Sequence, residues 1–298
     1  MNLLRSLFFI YIALVLMFIE GLSYFVVSGR SGVIRPPEEI ISNLSQESLS
    51  SYFAEHFDRD LGWAPKPGFE SGELGSRGNP WSYSISERGF RNQTNHRDSA
   101  ATLAVTFGDS FTFGYENEDD ETWQSFLTAI SDSNVFNFGV NGYGPDQAYL
   151  RSLRFLKRHR DAEYALLVIT EENLNRIVNR YRPFYQPEED MLLGFKPRYS
   201  VDDDYKVVLK PQELAEPTSS RSRLLEKIEA SKENDFWARR RPVSGSPYFF
   251  VLLQQAVVGL CDRVEVTAFC ERRRLPKWND EALVRIILGD RRLRCGVE

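Results

Sequence analysis

A serine at the end of an apolar, β-branched run is a natural place to look for covalent chemistry. Ser110 follows Thr102–Phe107 and Gly108-Asp109. A hydroxyl set where a strand gives way to a turn can attack an acyl carbon, provided a base takes its proton and donors face the developing oxyanion. Two more polar turns repeat the arrangement: Asn141-Gly142-Tyr143-Gly144-Pro145 follows the apolar run Val135–Val140, and Glu171-Glu172-Asn173 follows Tyr164–Thr170. The base is harder to find. Histidine occurs only as His56, His96 and His159. The three cysteines (Cys261, Cys270, Cys295) have no paired CxxC spacing, which excludes a zinc ribbon, and nothing points to a metal or cofactor.

The elements that must position these residues follow from periodicity. Trp123, Phe126, Leu127 and Ile130 fall at i, i+3, i+4 and i+7 behind Thr122, predicting an amphipathic helix with a threonine N-cap. Tyr149, Leu153 and Leu156 supply the face of a second helix. Three strand–helix units in succession, with strands apolar on both sides, predict an α/β fold: a parallel sheet covered by helices in three layers. In such sheets ligands bind at the carboxyl ends of the strands, where all three polar turns lie.

The first residues read differently. Leu7 to Ile19 carries no polar interruption, and apolar character resumes after Glu20 through Val27. Each Leu, Ile, Phe or Val gains roughly 0.3–0.6 kcal/mol in a bilayer, which outweighs one acidic residue near an interface. Residues 1–28 therefore read as a transmembrane anchor, the other reading being a signal peptide introduced by Arg5. The short N-terminus favours a single pass with the C-terminal portion on the extracytoplasmic side. Residues 29–56, rich in Ser, Glu and Pro, read as a juxtamembrane stalk, and 57–298 as one domain. The balance of 37 Lys+Arg against 42 Asp+Glu gives a net charge of −5 and no basic block, so a nucleic-acid partner is not expected. Asn43-Leu44-Ser45 and Asn92-Gln93-Thr94 match the glycosylation sequon, a short pattern that recurs by chance.

Together the three turns carry a family resemblance. F-G-D-S-F-T-F-G (107–114) resembles the nucleophile block of the SGNH, or GDSL-type, hydrolases, N-F-G-V-N-G-Y-G-P-D-Q (137–147) their glycine block, and T-E-E-N (170–173) their asparagine block. L-G-W-A-P-K-P-G (61–68), E-R-G-F-R-N (87–92) and F-K-P-R-Y (195–199) are similar to elements of membrane-anchored or exported members, including the alginate O-acetylation branch. The resemblance implies Ser110 as nucleophile. It also implies an oxyanion hole from the Ser110 and Gly142 N–H groups and the Asn173 amide, with neighbouring Asn175 as the alternative donor. Asp109 reads as an Asx-type turn former holding the serine loop.

The departure lies downstream. An SGNH enzyme places an Asp-x-x-His block after its last strand, and no histidine follows His159. His159 and His96 should sit at the opposite edge of the sheet from Ser110, and His56 in the stalk. Beyond residue 200 the sequence predicts a short strand at Val207–Leu209, a polar helix at Arg221–Lys232, an apolar segment at Tyr248–Leu260 and a helix capped by Asn279. Cys261 and Cys270 fit either a local disulfide or buried thiols. The expectation is an anchored ester hydrolase or O-acyltransferase for acyl esters, such as O-acetylated glycans, truncated and nearly inert for want of a base. The alternative is a non-catalytic ligand-binding or envelope assembly protein reusing the cleft. A nucleotide-binding domain is disfavoured, since no Gly-rich phosphate loop follows the first strand. The apolar length itself predicts that the chain stays with membranes through carbonate extraction and keeps its own N-terminus on sequencing; a soluble product cleaved near residue 30 would contradict the anchor.

Overall fold

The computed structural model describes residues 2–28, 36–74, 78, 80–158, 161–186, 193–202, 204–240 and 248–252. Helix α1 (Asn2–Ser28) contains Leu7–Val26, with a mean hydropathy of 2.1. At 1.5 Å per residue these 20 residues reach about 30 Å, the thickness of a bilayer's hydrocarbon core, making α1 a candidate membrane span or signal anchor.

The stretch expected to be a stalk is partly something else. From Pro36 onward it forms α2 (Pro37–Ser42) and α3 (Gln46–Glu55), the latter capped by Ser45, whose Oγ accepts from the Ser48 N–H. Ile41, Leu44 and Leu49 pack into a core with Phe57, Tyr181, Phe195 and Leu224. Ser and Glu dominate the composition because they sit at caps and on outer faces, while the few apolar residues recur at helical spacing and are buried.

Short antiparallel pairs follow: β1 (Phe57–Asp58) with β2 (Gly62–Trp63), and β3 (Glu70–Leu74) with β4 (Pro80–Ser84). The central sheet is parallel, as expected for an α/β fold. β5 (Thr102–Phe107) lies between β6 (Asn134–Asn137) and β7 (Tyr164–Leu167), giving the order β6-β5-β7. Crossovers run through α4 (Ser110–Phe113) and α5 (Trp123–Ser131), then through α6 (Pro145–Phe155). After β7 come α7 (Glu171–Ile177), α8 (Arg182–Tyr185), the hairpin β8 (Arg198–Val201) and β9 (Val207–Lys210), α9 (Arg221–Lys232) and α10 (Phe236–Arg240). β9 and α9 match the expected strand and helix, whereas the C-terminal cysteines, the Asn279 helix and most of Tyr248–Leu260 lie outside the described residues.

In two helices the most deeply buried side chains are not the ones their apolar periodicity indicates, although Trp123, Leu127 and Leu156 stay partly buried. α5 starts at its Thr122 cap, but Phe126 is 61% and Ile130 79% exposed while Gln124, Ser125 and Thr128 are buried. The reason is hydrogen bonding. Gln124 Nε2 donates to Thr106 Oγ1 and the Thr112 carbonyl, and Thr128 Oγ1 accepts from the Val135 N–H. In α6, Leu153 is exposed and Arg151 is buried, donating to the Phe138 and Gly89 carbonyls. Buried strand-end carbonyls need donors, and a helix that supplies them gains more than one that buries another leucine. On β7, Tyr164 and Leu166 are exposed, so among the described residues part of the sheet stays uncovered.

The α5 inversion is testable by unfolding. Gln124→Ala should cost about 1–3 kcal/mol by orphaning two buried acceptors, whereas Phe126→Ala should change stability by no more than about 0.5 kcal/mol. The reverse ranking would place the apolar face inward.

Candidate functional site

Ser110 begins α4 directly after β5. The turn is held by Asp109, whose Oδ1 accepts from the Phe111 N–H at 3.0 Å, as expected of an Asx-type former. Gly114, left-handed at φ +81°, closes this one-turn helix, its N–H donating to the Ser110 carbonyl. Ser110 is half-buried, and its Oγ has no hydrogen-bond partner among the described residues.

The glycine block meets this turn backbone to backbone. The Val140 N–H donates to the Gly108 carbonyl at 3.1 Å. A Cβ added at Gly139 would stand 2.4 Å from the Phe113 nitrogen, and one at Gly108 only 2.1 Å from Thr112 Oγ1. Gly142 itself adopts φ +77°, a conformation side chains resist, at the crest of the loop. Trp63 Nε1 donates to the Asn141 carbonyl, Tyr143 OH donates to the Trp63 carbonyl, and Gln147 Nε2 donates to the Leu61 carbonyl. The 61–68 segment is thus the clamp that sets the shape of this loop. Arg91, from the 87–92 segment, plays the same part on the other side. Its side chain is fully buried, donating to the carbonyls of Phe113, Gly114 and Asn117 and pairing with Asp119 at 2.8 Å.

Asn173 reaches the same place from β7. It is the N3 residue of α7, and its Oδ1 accepts from the Thr170 N–H in a capping box. Its Nδ2 donates to Asp109 Oδ2 at 2.6 Å. One of its two amide hydrogens is therefore committed to the residue beside the serine. The alternative donor Asn175 is exposed and its carbonyl accepts from Trp237 Nε1.

Sequence reasoning missed the charged residues beneath. Arg176 Nη1 donates to Asp109 Oδ2 at 3.2 Å and to the Tyr143 carbonyl at 3.0 Å, while Nη2 donates to Glu172. One guanidinium thus ties the Ser110 turn to the loop one residue past Gly142. Below it Lys196, in the 195–199 segment, donates to Asp146 at 2.6 Å and to the Arg176, Asn179 and Pro197 carbonyls. Burial pushes the Asp146 carboxyl above the usual carboxylate range and the Lys196 ammonium below its own, each opposed by the other's charge. The available signal was the one-turn spacing from Asn173 to Arg176 and a lysine in an otherwise apolar, proline-bounded stretch.

No histidine joins the cluster among the described residues. His96 sits at the amino end of the sheet, its Nδ1 against Asn134 and its Nε2 against Asp98, as expected. His56 lies beside Phe69 and Glu55, and His159 lies outside the described residues. No cluster of His, Cys, Asp and Glu among the described residues could hold a metal ion.

No family model and no curated protein matches the chain. Among solved structures it is similar to the crystal structure of AlinE4, an SGNH-hydrolase family esterase, at 24% identity over 27% of this chain, with a TM-score of 0.24. An aspartate-to-alanine mutant of the same esterase gives the same values. The match takes in 46% of that esterase, so the chain spans about half the length of the solved relatives it matches.

Removing one member of the lower pair should be costly. Lys196→Met leaves a carboxylate buried without its cation and should lose about 3–5 kcal/mol in chemical denaturation. Adding Asp146→Asn should recover part of that loss; strictly additive losses would show that the two do not interact.

Proposed function

We propose that this chain is an anchored SGNH-type ester hydrolase or O-acyltransferase scaffold. Ser110 is the nucleophile, and the Ser110 and Gly142 N–H groups with the second amide hydrogen of Asn173 are the oxyanion donors. The observation that carries this reading is the hydrogen bond from Asn173 to Asp109, which brings the end of the third strand to the residue preceding the serine. The Ser110 and Gly142 N–H groups are supporting evidence, having no acceptor among the described residues. Ser110 Oγ would attack an acyl carbonyl carbon, the carbonyl oxygen would take up the negative charge before these donors, and collapse would expel the alcohol to leave an acyl-serine. Water or an acceptor hydroxyl would then complete hydrolysis or transfer.

The substrate class is an acyl ester, with O-acetylated envelope glycans the favoured example, and the catalytic portion lies on the extracytoplasmic side of the membrane. The Ser110 proton has no imidazole to receive it among the described residues. A positioned base contributes about 10²- to 10⁴-fold, so the 298-residue chain is slow. A second reading, a non-catalytic ligand-binding or envelope assembly protein, is favoured by the want of an imidazole beside Ser110 among the described residues.

The test is turnover of p-nitrophenyl acetate by the purified chain. A slow rate that falls further in Ser110→Ala, and rises by about 10²-fold or more when a homologous segment carrying Asp-x-x-His is joined after Leu252, is the expected result. Fast, Ser110-dependent hydrolysis by the unmodified chain would overturn the missing-base argument. A rate indifferent to Ser110 in both proteins would favour the binding reading.

A further inference from the structure

A cavity of about 630 Å³ opens between α6, the turn joining β1 to β2 and the segment leaving β9. That volume is within the range of small-molecule sites, roughly 300–1,000 Å³. None of Ser110, Gly142 and Asn173 lines it. It draws on the half of α6 remote from Asp146: Leu153 is seven residues further along, about 10 Å at the helical rise.

Its lining has three chemical parts. Leu61, Leu150, Leu153 and Leu209 give an aliphatic wall with no aromatic ring among the lining residues. Arg59 and Lys157 stand exposed at the rim without an acidic partner among the described residues. The other rim cation, Arg154, is already neutralised by Asp58 at 2.5 Å and Asp60 at 3.1 Å. Arg59, Arg154 and Lys157 against Asp58 and Asp60 leave a net single positive charge at the rim of an apolar wall. The third part is Gln212, which is buried; its Nε2 donates to the Asp58 and Arg59 carbonyls, and its Oε1 lacks a donor. That oxygen is closed to solvent, so Gln212 forms a polar floor fastened to the β1–β2 turn and is not offered to a ligand.

We propose that this cavity is a second binding site, independent of the Ser110 chemistry, for a small amphipathic carboxylate. The aliphatic body would lie on the leucines and the carboxylate beside Arg59 and Lys157. The wall is aliphatic throughout, which suits an acyl chain better than a sugar ring, since sugars are usually stacked on aromatic side chains.

The test is calorimetric titration of the full chain in zwitterionic lipid nanodiscs with 3-hydroxyoctanoate, octanoate and octylammonium, with empty nanodiscs subtracted. Both carboxylates should bind with similar affinity, and the ammonium compound should not. Charge reversal at the two exposed positions, Arg59→Glu with Lys157→Glu, should weaken carboxylate binding at least tenfold with the unfolding temperature unchanged. Ser110→Ala should leave binding as it is. Equal binding of octylammonium, full affinity in the double variant, or loss of binding in Ser110→Ala would each overturn the assignment.

Discussion

The buried carboxylate of Asp109 is the constraint on which the rest of the site depends. A charge withdrawn from water must be met by donors or it does not stay ionised. Here the donors come from different parts of the chain: the Phe111 N–H from its own turn, and the Asn173 amide and the Arg176 guanidinium from the helix after the third strand. Satisfying one carboxylate therefore draws together segments 64 and 67 residues apart in sequence. The turn that presents Ser110 is a by-product of that coordination, since the same carboxylate shapes the turn and recruits its neighbours.

The same physics is repeated further out with the signs reversed. Arg91, Arg151, Arg176 and Lys196 are buried cations, and each collects backbone carbonyls that no regular ladder serves. Loops crowd the carboxyl edge of this sheet, and loops carry unpaired carbonyls wherever they are sheltered from water. A long, branched donor reaches several at once, which explains why α5 and α6 present polar side chains inward. These contacts order the edge without adding a large apolar core to it. The apolar packing is concentrated elsewhere, around Phe107, Phe138 and Phe155 on one side and Tyr181, Phe184 and Phe195 on the other.

How much of this could be read from sequence varied with the kind of signal. Thr102–Phe107 was legible as a strand because its β-branched run ends in Gly-Asp-Ser, and Thr122 as a cap because helical periodicity starts immediately after it. The convergence of Asp109 and Asn173 followed from their positions at strand ends in a parallel sheet. Helix faces were misread because hydropathy ranks Phe126 above Gln124, while burial here is decided by which side chain can satisfy Thr106 and Thr112. The helices at 37–55 were hidden by composition, because three buried apolar residues suffice to dock segments so short. Arg176 and Lys196 carried no local pattern, since their partners lie on other elements and a lone cation in sequence looks like any surface residue.

Gly139 has a mechanical consequence. With the Phe113 nitrogen where its side chain would be, the wall between the Ser110 turn and the loop after β6 is two backbones thick and has no side chain to swing. Such a wall cannot yield by changing rotamers, and moving it means breaking the Val140 bond to Gly108. Compliance is therefore displaced to the outer rim, where Phe111 is 65% exposed directly after the serine. A turn built this way is stiff at its base and soft at its lip, so whatever presses on it would be met by one aromatic ring turning rather than by the backbones beneath giving way.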